Sequence, residues 1–132
     1  EMVTFKAGIK AGTPMVMTAH IAVPNVDSTT HDGYSIPSTM SSVILQDKLR
    51  GALGYQNLVI TDGMDMGAII THYGPAEAAV STIKAGVDIV LCPQDYKVAF
   101  NAVYMAVLNG EISQDRINQS VRRILKLKVG MK

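Results

Sequence analysis

At 132 residues, with 48% apolar and 17% charged side chains and a formal net charge of +1, the chain has the composition of one domain whose segments are mostly buried. It has no dense Lys/Arg cluster interleaved with aromatics, which excludes the electrostatic footprint of a nucleic-acid binder and favours a neutral or weakly charged ligand. Cys92 is the only cysteine, so neither an intrachain disulfide nor a cysteine-based zinc cluster can form, and no apolar run approaches the roughly 18 residues of a membrane-spanning helix.

Met2, Phe5 and Ile9 share one helical face, and Gly12 with Pro14 stops that helix before the apolar run Met15-Val16-Met17, which reads as a strand ending near His20. The polar stretch from Ala22 to Thr39, with Pro24, Gly33 and Pro37, predicts a long loop of the kind that often carries function. Ser41 or Ser42 then caps a helix with Leu45, Leu49 and Leu53 inward, ended by Gly54. Leu58-Val59-Ile60 is a second strand closed by Thr61-Asp62. After a Gly/Met-rich turn, Pro75 opens a helix that Gly86 stops, and Val87 to Leu91 is a third buried strand. A helix from Asp95 to Asn109 points Val98, Ala102 and Val103 inward. The last helix starts at Ser113 with the stripe Ile117, Val121, Ile124 and Leu125, and its basic run Arg122, Arg123, Lys126 and Lys128 reads as a solvated face.

Apolar strands alternating with helices predict an α/β fold of parallel βα units, which either build an open doubly wound sheet or curl towards a barrel. Three strands cannot close a barrel, and a whole (β/α)8 barrel takes about 250 residues. Reactive groups in such folds lie at the carboxyl ends of the strands, here His20, Asp62 and Cys92. From position alone Asp62 can be a nucleophile, a general base, a metal ligand or a turn residue. Cys92 reads as a small buried apolar residue and the methionines, Met64 and Met66 among them, as packing; no metal or cofactor is expected. Asp65 reads as the cap of a short helix, while Asp27, His72 and Tyr73 are loop residues without an assigned role.

The run Leu58-Val59-Ile60-Thr61-Asp62-Gly63-Met64-Asp65-Met66 resembles the nucleophile segment of family-3 glycoside hydrolases. Val16-Met17-Thr18-Ala19-His20-Ile21, with Pro24 and Asp27, resembles the strand and loop before it. Pro37 to Ser41 with Leu53-Gly54-Tyr55 resembles the helix between them, and Ala85-Gly86-Val87-Asp88 the entry to the last strand. Gly110 to Ser113 with Arg122 to Lys128 resembles the closing helix. The resemblance implies that residues 1–132 are the C-terminal portion of a TIM-type (β/α)8 catalytic barrel, about three parallel βα units plus a C-terminal helix. It makes Asp62 the nucleophile of a retaining mechanism, in which the carboxylate attacks the anomeric carbon and water later cleaves the glycosyl-enzyme. Gly63 is expected to leave room for the sugar ring, and His20 is a candidate to contact the sugar or orient Asp62.

In the β-glucosidase-like members of that family a Trp usually follows the nucleophile, and this chain has no Trp. The N-acetylhexosaminidase branch is therefore implied, with terminal β-linked N-acetylglucosamine, including cell-wall fragments, as substrate. Its His/Asp acid/base pair belongs to an earlier loop, so His31-Asp32 reads as exposed turn residues despite looking alike. Without that pair the segment alone is expected to be inactive, and its uncovered strands are expected to associate with copies of themselves or with the missing barrel half. The alternatives are a β-glucosidase-type member and a non-catalytic half-barrel that serves interaction. A phosphate-binding barrel is disfavoured, because Leu91-Cys92-Pro93-Gln94 offers no glycine to bring backbone N–H groups onto a phosphate. Cytoplasmic and exported locations both stay open.

Overall fold

In the computed structural model, which describes residues 2–130, the first helix runs Val3–Lys10 (α1) and the first strand Met15–Thr18 (β1). Between them Gly12 takes φ +84°, a left-handed conformation that favours glycine, and Thr13 Oγ1 donates to the Gly8 carbonyl at 2.8 Å. The second regular strand is Leu58–Thr61 (β4), parallel to β1 from Met15 opposite Leu58 to Thr18 opposite Thr61.

Residues 22–39 hold more order than the expected loop. Thr30–His31 (β2) and Tyr34–Ser35 (β3) pair antiparallel around Asp32 (φ +48°) and Gly33 (φ +82°). Positive φ at both central residues is the two-residue turn that matches strand twist, and Asp-Gly is a favoured pair for it. The neck is closed by a bridge between Ala22 and Pro37 and by the Ser38 hydroxyl donating to the Ile21 carbonyl at 2.6 Å. Asp27 anchors the near side: the Ser41 hydroxyl donates to its Oδ2 at 2.5 Å and the Thr29 N–H to its Oδ1 at 3.0 Å. These donors, Ser41 foremost, hold the Asp27 carboxyl below its usual 3.8. Ser41 Oγ also accepts from the Ile44 N–H at 3.1 Å, capping the next helix as expected. That helix, Val43–Ala52, is wound as a π-helix, buries Leu45 and Leu49, and is reversed by Gly54 at φ +67°.

The expected third strand shortens to one parallel bridge between Ile60 and Ile89. Side chains take over the ladder on either side of it. The Val59 N–H donates to Asp88 Oδ2 at 3.0 Å, and the Leu91 N–H to Thr61 Oγ1 at 2.9 Å, so neither reaches a strand carbonyl. β4 is nonetheless the central line between β1 and this segment. Val59 and Val87 pack with Leu45, Leu49, Tyr55 and Ala85, and Val16 joins them. Val16 and Val59 therefore face the helices, whereas the uncovered side of β1 carries Met17, 54% exposed. A shift of one residue along β1 would exchange the two faces.

Beyond β4 come Gly67–Ile70 (α2), Pro75–Ala85 (α3), Tyr96–Leu108 (α4) and Gln114–Gly130 (α5). Asp95 caps α4, its Oδ1 accepting from the Lys97 and Val98 N–H groups at 2.9 and 3.0 Å. Ala99 and Ala106 are the buried residues of α4 and Val103 packs beside Ala106, while Val98 is exposed, one position off the expected face. On α5, Val121 and Leu125 of the expected stripe are exposed and Ile117 packs against the Ile83, Ala106 and Ile112 cluster.

A cluster that no local motif announces ties these layers together. The Asp88 side chain is 0% exposed and receives Arg50 Nη2 at 2.8 Å, Arg123 Nη1 at 2.9 Å and the Ser120 hydroxyl at 2.6 Å, with Arg116 Nη1 at 3.6 Å. Arg123 is thus a buried-charge partner and not part of a solvated face. The excess guanidinium charge is spread over backbone carbonyls: Arg50 donates to Asn57 at 3.2 Å and Gly86 at 3.3 Å, and Arg116 to Ile83 at 3.2 Å and Val87 at 2.5 Å. Burial lowers the pKa of Arg50 and Arg116, and Asp88 raises it again. The hub joins helix Val43–Ala52 and α5 to the start of the third line, at the strand end opposite Asp62.

Candidate active site at the strand ends

β4 delivers Asp62 at its carboxyl end. The parallel ladder runs one step past the strand, the Asp62 N–H donating to the Thr18 carbonyl at 3.0 Å, so the backbone carrying the carboxylate is fixed. Its Oδ1 accepts from the Gly63 N–H at 2.8 Å, and that is the one side-chain hydrogen bond of Asp62 among the described residues. The residue is half-buried, and among the described residues Oδ2 has no hydrogen bond or ion pair. A carboxylate with one oxygen anchored and one unengaged can attack an electrophile, which a fully bridged carboxylate such as Asp88 cannot.

His20 reaches the same turn from the end of β1. Its Nε2 lies 2.9 Å from the Gly63 carbonyl, which can only accept, so Nε2 carries the proton. Nδ1 lies 2.9 Å from Thr39 Oγ1, which lies 3.1 Å from Thr18 Oγ1. Thr39 Oγ1 also lies 3.1 Å from the Ala19 carbonyl, so its hydroxyl sits between that carbonyl, Thr18 and Nδ1; the two buried hydroxyls orient the imidazole and the imidazole holds the turn after Asp62. Gly63 is pinned on both sides, by the Asp62 carboxylate at its N–H and by His20 at its carbonyl.

Three expectations around the turn change. A Cβ on Gly63 would lie 2.8 Å from Asp65 Oδ1 and 3.6 Å from Met66 Cγ, so the small residue accommodates the turn's own side chains. Asp65 does not cap α2, whose N-cap is Met66 without a side-chain bond. Cys92 is exposed and takes φ +44°, since the chain leaves the third line there in a left-handed bend after Leu91 has accepted the Met64 N–H at 2.9 Å. Met64, by contrast, is buried with Met40, Ile69, Tyr73 and Ala78, as packing.

The β2–β3 hairpin rests on the α2–α3 region. The His31 ring stacks on Tyr73 with centroids 4.6 Å apart, its Nδ1 3.5 Å from Glu77 Oε1 and its Nε2 3.6 Å from Asp32 Oδ2. Of the pair expected to be exposed, Asp32 is and His31 is not: it docks the hairpin. Burial, then Glu77 and Asp32, push the Tyr73 phenol up. Tyr34 packs against His72 with centroids 4.4 Å apart at 41°. A cavity of about 330 Å³ opens between His20, Tyr34 and Ser35 on one side and Ala68, His72 and Tyr73 on the other. His72 and Tyr73 thus belong to its wall and Asp27 to the loop anchor. These stacks were invisible in the sequence, where only the Asp32-Gly33 pair hinted at a hairpin. Among the described residues no group of three metal-ligating side chains occurs, and no helix is long and apolar enough to cross a membrane.

Residues 1–127 match the model of the glycosyl hydrolase family 3 N-terminal domain. The chain is similar to β-hexosaminidase A of Pseudoalteromonas piscicida, 36% identical across 97% of this chain and 24% of that protein. It is also similar to a β-N-acetylglucosaminidase/β-glucosidase of Cellulomonas fimi, 29% identical across 98% of this chain and 24% of the relative. Among solved structures it superposes on a family 3 β-N-acetylglucosaminidase from Paenibacillus sp. with a TM-score of 0.87 at 40% identity, covering 94% of this chain and 23% of that one. The chain thus spans about a quarter of the length of these relatives. Its parallel strands, its helices and the order of its motifs agree with that α/β fold throughout, and the chain belongs to glycosyl hydrolase family 3, within the N-terminal domain of that family.

Proposed function

We propose that residues 1–132 form the last part of the catalytic barrel of a retaining β-N-acetylhexosaminidase, about three βα units and a closing helix, and carry its nucleophile, Asp62. The observation that supports this most is the state of the Asp62 carboxylate: fixed at the carboxyl end of the central strand, anchored through Oδ1 and open at Oδ2. Oδ2 attacks the anomeric carbon as the glycosidic C–O bond breaks, the leaving oxygen takes a proton from a general acid, and water then hydrolyses the glycosyl-enzyme. The general acid is assigned to an earlier barrel loop outside residues 1–132. His20 works at the substrate site by holding the Gly63 turn, its ring forming part of the adjoining wall. Terminal β-linked N-acetylglucosamine, cell-wall fragments included, is the proposed substrate class, since the Cellulomonas fimi and Paenibacillus proteins are named for N-acetylglucosamine and Gly63 stands where the resemblance puts a Trp in glucosidase-type members.

The Cellulomonas fimi relative, named for both sugars, supports a second reading in which β-glucosides are also cleaved. Both readings are tested in a protein carrying the whole barrel. A 2-fluoro sugar should label Asp62, Asp62→Asn should abolish labelling while the fold persists, and kcat/KM should favour N-acetylglucosaminides over glucosides. Label on another residue, or undiminished turnover by the variant, overturns the nucleophile assignment; preference for the glucoside moves the protein to the second reading.

A further inference from the structure

We propose, on the basis of the glycosidase reading of Asp62, that the cavity between the β2–β3 hairpin and the α2–α3 region binds the leaving-group side of the substrate, as one uncharged sugar ring stacked on the face of Tyr34 that His72 leaves free. Position comes first. The cavity shares His20 with the turn that holds Asp62, yet Asp62 itself does not line it. The sugar whose anomeric carbon is attacked must touch Asp62, so a neighbouring cavity that Asp62 does not line takes the part of the substrate beyond the cleaved bond.

Chemistry selects the class of occupant. The walls carry the rings of Tyr34, His72, Tyr73 and His20 with small side chains between them, and no Asp, Glu, Lys or Arg. Nothing there would neutralise a phosphate or a carboxylate, and the hydroxyls and imidazoles would leave a lipid chain beside unpaired polar groups. A pyranose offers what fits: an apolar C–H face for the rings and hydroxyls at its rim for Tyr34, Ser35 and His72. The volume, about 330 Å³, lies at the lower end of small-ligand sites, which suits one ring and not a long oligosaccharide.

Construction supports a built surface. Tyr34 is 59% exposed, and neither its hydroxyl nor the His72 nitrogens are hydrogen-bonded within the described residues, so their polar groups are available. The ring is still held in place. The two-residue turn sets the hairpin, His31 ties it to Tyr73 and Glu77, and His72 backs Tyr34 at 4.4 Å. A pre-positioned aromatic loses little freedom on binding, which makes its contact area count toward affinity.

The test uses a protein carrying the whole barrel and two substrates that differ only beyond the cleaved bond: N-acetylglucosaminyl fluoride, whose leaving group fills no cavity, and the β-1,4-linked disaccharide of N-acetylglucosamine. Tyr34→Ala should lower kcat/KM for the disaccharide by about tenfold or more and change the fluoride by less than about twofold. His72→Ala should follow in the same direction, and Tyr34→Trp should keep the disaccharide within about threefold of the native enzyme. Equal losses on both substrates, as a pocket for the N-acyl group or a misplaced hairpin would give, overturn the proposal, and so does no loss on either. A native enzyme inert toward both substrates overturns the glycosidase reading beneath it, whereas turnover of the fluoride with an insensitive disaccharide removes the stacking surface alone.

Discussion

Removing the charge of Asp88 should cost more stability than removing any one of its three arginines. Asp88→Asn keeps the shape and replaces one oxygen by an amide that points donors at donors. It loses the Arg50 and Arg123 pairs at 2.8 and 2.9 Å and faces the Ser120 hydroxyl and the Val59 N–H with half the accepting capacity. Breaking a buried pair by deleting one partner costs about 3–5 kcal/mol, because the surviving charge stays buried. Here that charge is threefold, so the upper part of the range is expected, a large share of the ~5–15 kcal/mol that holds a domain together. Arg123→Met should behave differently. Burial lowers the pKa of Arg50 and Arg116 and the nearby Arg123 charge adds to it, so removing Arg123 relieves repulsion while Asp88 keeps two guanidinium partners; a cost well below that of Asp88→Asn follows. Urea unfolding of the three proteins, read from midpoints at a common slope, gives the order directly. If Asp88→Asn costs less than about 1 kcal/mol, or Arg123→Met costs as much as Asp88→Asn, the carboxylate is not the keystone of the cluster.

Gly86→Ala should destabilise by roughly 1–3 kcal/mol, since φ is +121° there and the new Cβ would also displace the Gln46 side-chain amide; an unchanged urea midpoint would show that the turn relaxes freely. Asp27→Asn should lower the urea midpoint at pH 6 and much less at pH 3. A carboxyl held below its usual 3.8 contributes stability that is complete above that value and lost as pH falls through the lower folded value, so an equal deficit at both pH values would contradict the anchoring role. On the proposed assignment of the general acid to an earlier barrel loop, residues 1–132 alone should cleave no chromogenic N-acetylglucosaminide, since a proton donor is typically worth ~10²–10⁴-fold; robust turnover would overturn that assignment. They should also associate with increasing concentration in sedimentation velocity, through the uncovered face at Met17 and the outer row of Phe100 and Leu108; a compact monomer would refute the exposed-face reasoning.

What was legible in the sequence was whatever is written locally. Gly12 and Pro14 mark the end of α1, Asp95 the start of α4, Pro75 and Gly86 the limits of α3, and the run through Thr61-Asp62 the strand end that carries the candidate nucleophile. What was not legible depends on partners distant along the chain. Asp88 draws on Arg50, Arg116, Ser120 and Arg123, separated from it by 38 residues on one side and up to 35 on the other, and no spacing rule links them. The face of α4 was misread by one position because Val98 is as apolar as its neighbours, so pattern alone left the phase undetermined.

The same division runs through the site. Asp62 is announced by its motif, but its environment is assembled from elsewhere: Thr18 supplies the backbone acceptor, His20 and Thr39 the brace on Gly63, and a hairpin 30 residues earlier the neighbouring wall. The third line of the sheet explains why the braces matter. With its ladder reduced to one bridge at Ile89, side chains at both ends replace strand hydrogen bonds: Asp88 at the entry and Thr61 near the exit. Buried polar groups that are fully satisfied fix one arrangement among many of similar packing energy. A charged hub at the entry of the strands and a hydroxyl–imidazole brace at their exit therefore fix the register of β1, β4 and the third line at opposite ends, and the Asp62 carboxylate sits at the end where the brace holds the carbonyl of Gly63, whose N–H anchors Oδ1.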